Sequence, residues 1–385
     1  MSDWLRTRPA ATPAMLAVFG DHATIAHALA FEAALVRAQA TEGLVEPAIA
    51  DAIGAACATL EIDPATLADE AALAGTLAIP LVARLRAACP PDVARWVHVG
   101  ATSQDVADTA LMSQVRAATA LLAADVARIG AALAPLADRH ATTPAVGRTL
   151  LQDALPIGFG VRIAQWMAGI DDAMHGLARD VGAHATVQLG GAAGTRAGLD
   201  GKGSTIAAHV ARSLGLASAA PWHGRRTGTA AIASSTGIVI GALAKMARDI
   251  SLLAQNQIGE TREPAIAGRG GSSAMAHKRN PTGCQVALAA HYRAPGLVAG
   301  ILSGLAAEEE RGLGGWQAEG PALADLFLLA AGSAAAMAVV AEGLDIDRDA
   351  IARNLAAAGI GTDIGESEAI VAALLAATRA PHRQG

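Results

Sequence analysis

The stretch Gly270-Gly271-Ser272-Ser273-Ala274-Met275-Ala276-His277-Lys278-Arg279-Asn280-Pro281 combines three things that a site for a polyanion needs. Paired glycines and small serines predict a mobile backbone able to close over a ligand. Ser272 places a hydroxyl where that backbone can carry it. Lys278, Arg279 and Asn280, with His277 beside them, supply donors that bind carboxylates. A bare Gly-Ser-Ser followed by basic residues reads more readily as a solvated loop; the full twelve-residue string favours a site. Two other clusters suit the same ligand. In Trp96–Ala110, Gly100 permits a tight turn, and Thr102 and Ser103 present hydroxyls where a long helix begins. Hydroxyls and free backbone N–H groups at a helix start suit a carboxylate, although an ordinary N-cap uses the same residue types. In Glu308-Glu309-Glu310-Arg311, the arginine offers a bidentate carboxylate clamp, against the alternative of a surface arginine paired to a glutamate.

The glycine-serine string resembles the GSSxMPxKxNP signature of the fumarase/aspartase superfamily. Its His-Lys-Arg form is closest to the adenylosuccinate lyase and 3-carboxy-cis,cis-muconate cycloisomerase branches. Ala276 stands where the family has proline, which predicts a less rigid loop. Trp96–Ala110 resembles the family's HxGxTSxDxxDT segment, which implies that His98, Thr102 and Ser103 bind substrate carboxylate. Gly147-Arg148-Thr149-Leu150-Leu151-Gln152-Asp153-Ala154-Leu155-Pro156 resembles GRTHxQxAxP. Most of these lyases carry a proton-transferring histidine after the threonine; here it is Leu150, which transfers none. The cycloisomerase branch also lacks that histidine and has a tryptophan there. Thr149 and Gln152 remain as polar ligands. Glu308–Glu319 resembles EHERSLGGWQAE of the cycloisomerase branch, which strengthens the clamp reading for Arg311. Gly190–Thr195 resembles LGGAxGT and reads as structural. Pro221–Arg226 resembles PWHTxRD, but Gly224 and Thr227 depart from it, and no catalytic role is assigned there. The early Arg-Tyr pair usual in adenylosuccinate lyases is absent. The resemblance covers about residues 15 to 345.

The resemblance implies a cycloisomerase that closes a tricarboxylate diene to a γ-lactone. Ser272 would deliver the proton, and His98, Thr102, Ser103, Thr149, Gln152, Lys278, Asn280 and Arg311 would hold the substrate. No metal or organic cofactor is implied. It also implies a homotetramer whose sites are built from three subunits. The alternatives are an adenylosuccinate-type lyase releasing fumarate, against which Leu150 argues, and a catalytically silent scaffold of the same fold.

The elements that must position these residues are helices. Apolar residues make up 52% of the 385, but aromatics only 3%, so alanine and leucine supply the hydrophobicity, and both favour helix. Alternating β-branched runs are scarce, which predicts an all-α fold. Residues 1–104 read as a small helical domain, with Ala28, Phe31, Leu35 and Ala38 on one helix face and Gly43 as its stop. Residues 105–343 read as a bundle of five long helices, the superfamily's central domain. The first carries the seam Val115, Ala118, Leu122, Val126, Ile129 and Leu133, and Pro135 should kink or end it. The second is expected to start between Ala145 and Leu150 and to run to about Ala178. The others are expected at about 230–258, 283–309 and 322–341, with Ile238 among the core candidates of the third. Residues 344–385 read as a shortened C-terminal segment of two helices, ending in a polar tail.

A net charge of −6 argues against nucleic acid as the main partner. Three cysteines without metal-ligand spacing suit a reducing cytosol, with Cys284 read as core packing sooner than as a reactive thiol. The N-terminus has no apolar h-region, so no signal peptide is read. The apolar run Leu326–Ala341 is short of a membrane span and reads as a buried helix.

Overall fold

The computed structural model describes residues 4–272, 274–275 and 278–379. Ala276, His277 and the polar tail from Ala380 lie outside the described residues. The N-terminal part is helical: α1 (Asp21–Thr41), α2 (Pro47–Thr59), α3 (Pro64–Ala74) and α4 (Ala78–Ala87). Five long helices follow in the expected order: α5 (Ser103–Arg139), α6 (Phe159–His184), α8 (Thr227–Leu253), α9 (Thr282–Ser303) and α10 (Gly315–Glu342). The shorter α7 (Gly203–Leu214) lies between α6 and α8, and α11 (Arg348–Ala358) and α12 (Ser367–Arg379) close the chain. Strands are few and short.

The α5 seam is buried along its length from Val115 to Leu133 and joins α6, α8, α9 and α10 in one large core. A second core unites α1, α2 and α4 with Val187, Leu189, Leu199, Ile206 and Val210, so the N-terminal helices pack against α7 and the segment before it. Small residues bring the elements close. A Cβ on Gly332 in α10 would stand 2.1 Å from the Ala10 carbonyl oxygen, so only glycine fits there. By length and composition α5, α8 and α10 are each apolar enough to cross a membrane. Within the bundle, 67% of the most apolar window of α10 is buried but only 28% of that of α5.

Two expectations are corrected. Residues 144–158 form a β-hairpin, not the start of a helix: β1 (Pro144–Thr149) pairs antiparallel with β2 (Gln152–Gly158). Pro156 explains why, since inside a helix it would lose a hydrogen bond and clash with the preceding turn; α6 begins just past it, at Phe159. Pro135 stands inside α5, which continues to Arg139 with Ile129, Leu133 and Ala137 buried. Ile238 is 61% exposed, seven residues before exposed Lys245 on the same face of α8, while the core face runs through Val239, Leu243 and Met246.

One buried ionic cluster joins three of the long helices. Arg226, the residue before α8, donates to both oxygens of Asp108 on α5, at 2.7 and 2.9 Å. It donates also to Glu319 on α10, at 2.7 Å. Its guanidinium lies 4.6 Å from the Trp222 ring centroid. Burial opposes the charged guanidinium, but Asp108 and Glu319 outweigh it and hold its pKa above the ordinary arginine value. Removing the cation strands two buried carboxylates. Arg226→Met is therefore expected to destabilise the fold by about 3–5 kcal/mol, read as a shift in the urea unfolding midpoint; an unshifted midpoint would contradict the clamp.

Candidate active site

The first group of candidate residues sits where α5 begins. Thr102 is extended, and its N–H donates to Asp105 Oδ2 at 3.0 Å. Its Oγ1 accepts from Arg311 Nη1 at 2.5 Å. Ser103 is the first residue of α5 and is half-buried. His98 adopts a left-handed backbone, φ 67°, and its Nδ1 lies 2.6 Å from the buried carboxylate of Glu32. Arg311 is held in a closed turn, because Glu308 Oε2 accepts from Leu313 N–H at 2.9 Å. That backbone N–H keeps the Glu308 pKa below the usual carboxylate value. Among the described residues Arg311 forms no ion pair with a carboxylate, and its side chain is exposed. His98, Thr102, Ser103 and Arg311 thus share one end of the bundle, with a cation and two hydroxyls beside a helix N-terminus, where a carboxylate is electrostatically welcome.

The second group lies at the opposite end. Arg148 on β1 makes a bidentate pair with buried Glu260, at 2.8 and 3.2 Å, and Asn354 of α11 donates to the same carboxylate at 2.8 Å. This anchors the hairpin one residue pair below its tip. Beyond it Thr149 and Gln152 pair across the tip, both exposed. The connecting residues Leu150 and Leu151 both have positive φ, 52° and 63°, the combination a type I′ turn requires. Glycine or asparagine would adopt it readily; each leucine costs about 1 kcal/mol there. Leu150 is 96% exposed and Leu151 75%. Between the hairpin, α6 and α8 is a cavity of about 960 Å³, lined by Arg148, Thr149, Arg162, Trp166, Lys245 and apolar side chains. Of the candidate residues, only Thr149 lines it.

The glycine-serine loop leads into α9. Its ends meet where Asn280 N–H donates to Gly270 O at 2.8 Å. Ser272 Oγ accepts from the N–H groups of Ala274 and Met275, at 3.3 and 3.1 Å. Two backbone donors on one hydroxyl oxygen favour its deprotonated form, which suits a proton donor or acceptor. Lys278 is exposed, and Asn280 Nδ2 donates to Gly271 O at 3.3 Å. Glu263 receives the first N–H groups of α9, from Gly283 and Cys284, at 3.0 and 2.8 Å.

One chain does not bring these groups together. Thr102 and Arg311 lie where α5 and α10 start. The hairpin follows the end of α5, and α9 starts beside the end of α10, where Gly283 faces Val340. The 37 residues of α5 span about 55 Å. Ser272, Lys278 and Asn280, like Thr149 and Gln152, are therefore about a bundle length from Thr102 and Arg311. Among the described residues no group of three or more His, Cys, Asp or Glu side chains is placed to hold a metal.

Sequence reasoning passed over the buried charges that hold the first group in place. Asp105, Asp108 and Glu319 all lie within the motif-bearing stretches. Acids spaced three apart on the inward face of an apolar helix were the available signal.

A protein-family model described as lyase matches residues 7–296. A 3-carboxy-cis,cis-muconate cycloisomerase of Pseudomonas aeruginosa is 44% identical over 345 residues, covering 89% of this chain and 75% of that protein. The crystal structure of 3-carboxy-cis,cis-muconate lactonizing enzyme from Pseudomonas putida superposes with a TM-score of 0.90 at 32% identity, covering 98% of this chain and 99% of that one. A fumarate lyase from Mesorhizobium sp. BNC1 superposes with a TM-score of 0.82 at 30% identity, covering 94% and 85%. The chain belongs to the lyase family of the fumarase/aspartase superfamily.

Cys284 is fully buried, and burial first, then Glu263, pushes its thiol well above the ordinary range. Burial likewise raises Cys57, to about 12. Since the thiolate is the reactive form, Cys284 is expected to resist a thiol-specific reagent at pH 8 until the protein is unfolded. Mass spectrometry of the labelled native protein checks this, and modification at Cys284 would contradict it.

Proposed function

We propose that this chain is a 3-carboxy-cis,cis-muconate cycloisomerase. The observation that carries the reading is the 44% identity to the Pseudomonas aeruginosa cycloisomerase along nine-tenths of the chain. The site chemistry agrees. A carboxylate oxygen of the substrate attacks a carbon of the conjugated diene and forms the C–O bond of the γ-lactone. The displaced π electrons move to the neighbouring carbon, next to another carboxylate, and a proton is delivered there. The nucleophile belongs to the substrate, so orientation lowers much of the barrier. Thr102, Ser103, Arg311, Lys278 and Asn280 hold the carboxylates and stabilise the charge that builds beside the new carbanion-like centre. His98, Thr149 and Gln152 complete the polar lining. Ser272, with two backbone N–H groups on its oxygen, delivers the proton. Leu150 has no proton to give, which suits a reaction without an imidazole partner and disfavours release of fumarate from adenylosuccinate.

The reading includes a cytoplasmic homotetramer whose sites are shared between subunits. The separation of the residue groups supports it, because antiparallel copies bring one end of a bundle to the other end of its neighbour. The largely open apolar face of α5 supports it too.

Purified protein is expected to remove the diene absorbance of 3-carboxy-cis,cis-muconate and to leave adenylosuccinate unchanged; the reverse would overturn the assignment. Ser272→Ala should lower kcat by about two to four orders of magnitude while circular dichroism stays that of the wild type. Mixing Ser272→Ala with Arg311→Ala protein, each poorly active alone, should restore activity after subunit exchange. No recovery in exchanged oligomers would contradict shared sites.

A further inference from the structure

The segment Pro221–Arg226 has no part in the chemistry above, yet it holds a buried histidine on a residue that organises the carboxylate subsite. Asp105 is fully buried and accepts four hydrogen bonds. They come from the backbone N–H groups of Thr102 at 3.0 Å and of Gly190 and Gly191 at 2.9 Å, and from His223 Nε2 at 2.7 Å. A carboxylate only accepts, so Nε2 of His223 is the donor. His223 is 3% exposed, and among the described residues its Nδ1 has no hydrogen-bond partner. The ring is tightly enclosed: a Cβ on Gly190 would stand 2.6 Å from its Cε1. The His223 carbonyl accepts from Gln104 of α5 at 3.2 Å. The next residue, Gly224, lies against the turn that carries Arg311, where a Cβ would come within 2.9 Å of the Glu309 carbonyl oxygen. Glu309 itself has φ 47°. The superfamily branch has threonine at position 224; here the backbone of the arginine turn fills the space where that side chain would begin.

From this we infer that His223 is a positioning residue for the substrate carboxylate at Thr102, Ser103 and Arg311, acting through Asp105. It orients the Asp105 carboxylate so that one oxygen fixes the Thr102 backbone. The glycine after it sets the distance of the arginine turn from the same spot. His223 touches neither substrate nor reacting atoms, so its removal changes how tightly the carboxylate is held more than it changes the chemical step. The inference rests on the carboxylate-subsite reading above.

The test compares His223→Leu, which cannot donate, with His223→Gln, whose Nε2 can reach the place of the ring nitrogen. His223→Leu is expected to raise KM for carboxymuconate about tenfold with kcat within about threefold of wild type. His223→Gln is expected to recover most of the loss. Equilibrium binding of tricarballylate, a non-reacting tricarboxylate, should weaken in parallel. An unchanged KM in a folded His223→Leu protein overturns the inference, as does a fall in kcat at constant KM. If the leucine variant does not fold, His223→Asn, too short to reach Asp105, takes its place; loss of fold in both assigns the pair to stability alone and overturns the inference. Wild-type protein inert toward carboxymuconate overturns the functional reading instead, and tricarballylate binding then decides the role of His223.

Discussion

The structure depends on one guanidinium. Arg226 stands before α8 and neutralises two carboxylates, Asp108 from α5 and Glu319 from α10. Without it both acids would be buried with no counter-charge, and the cation would not be tolerated there without them. Its five donors fit two carboxylates in a fixed plane, which a lysine could not do. Apolar seams let helices slide and rotate at modest cost; this cluster does not, so it fixes the register of three helices at one end. Thr102 precedes Asp108 by less than two turns of α5, and Arg311 lies just before α10. The clamp therefore holds in register the helices that carry both halves of the proposed carboxylate subsite.

Much of this was legible in the sequence, and the pattern of what was not is physical. The α5 seam was readable because a long helix repeats its apolar positions many times. Cys284 was read as core packing, and it is fully buried. The hairpin was misread because its strands are short and its turn carries two leucines in place of the glycine or asparagine that would announce it. Ile238 was misplaced because hydrophobicity alone does not give helical phase; the neighbouring Lys245 and Arg248 would have.

The candidate residues were recognisable from their motifs, but their arrangement was not. Spacing along the chain places Thr102 and Thr149 fewer than fifty residues apart, yet α5 fills that interval and holds them at opposite ends. The supporting charges escaped for a different reason. Asp105, Asp108, His223 and Arg226 are polar residues whose partners are distant in sequence, and no local pattern encodes such pairings. Beside the three-residue spacing of Asp105 and Asp108, Gly190-Gly191 pointed to an acceptor, since bare backbone N–H groups at a tight turn ask for one.

The hairpin tip has a consequence for how such an enzyme diverges. Leu150 projects from a turn whose base is secured by Arg148 and Glu260, and its side chain contributes almost nothing to the packing of the chain. Residues other than glycine and asparagine meet much the same left-handed backbone cost there, so exchanging one of them for another barely alters folding. A lineage can thus trade an aliphatic group for an aromatic or a titratable one at this point, while the scaffold beneath stays untouched.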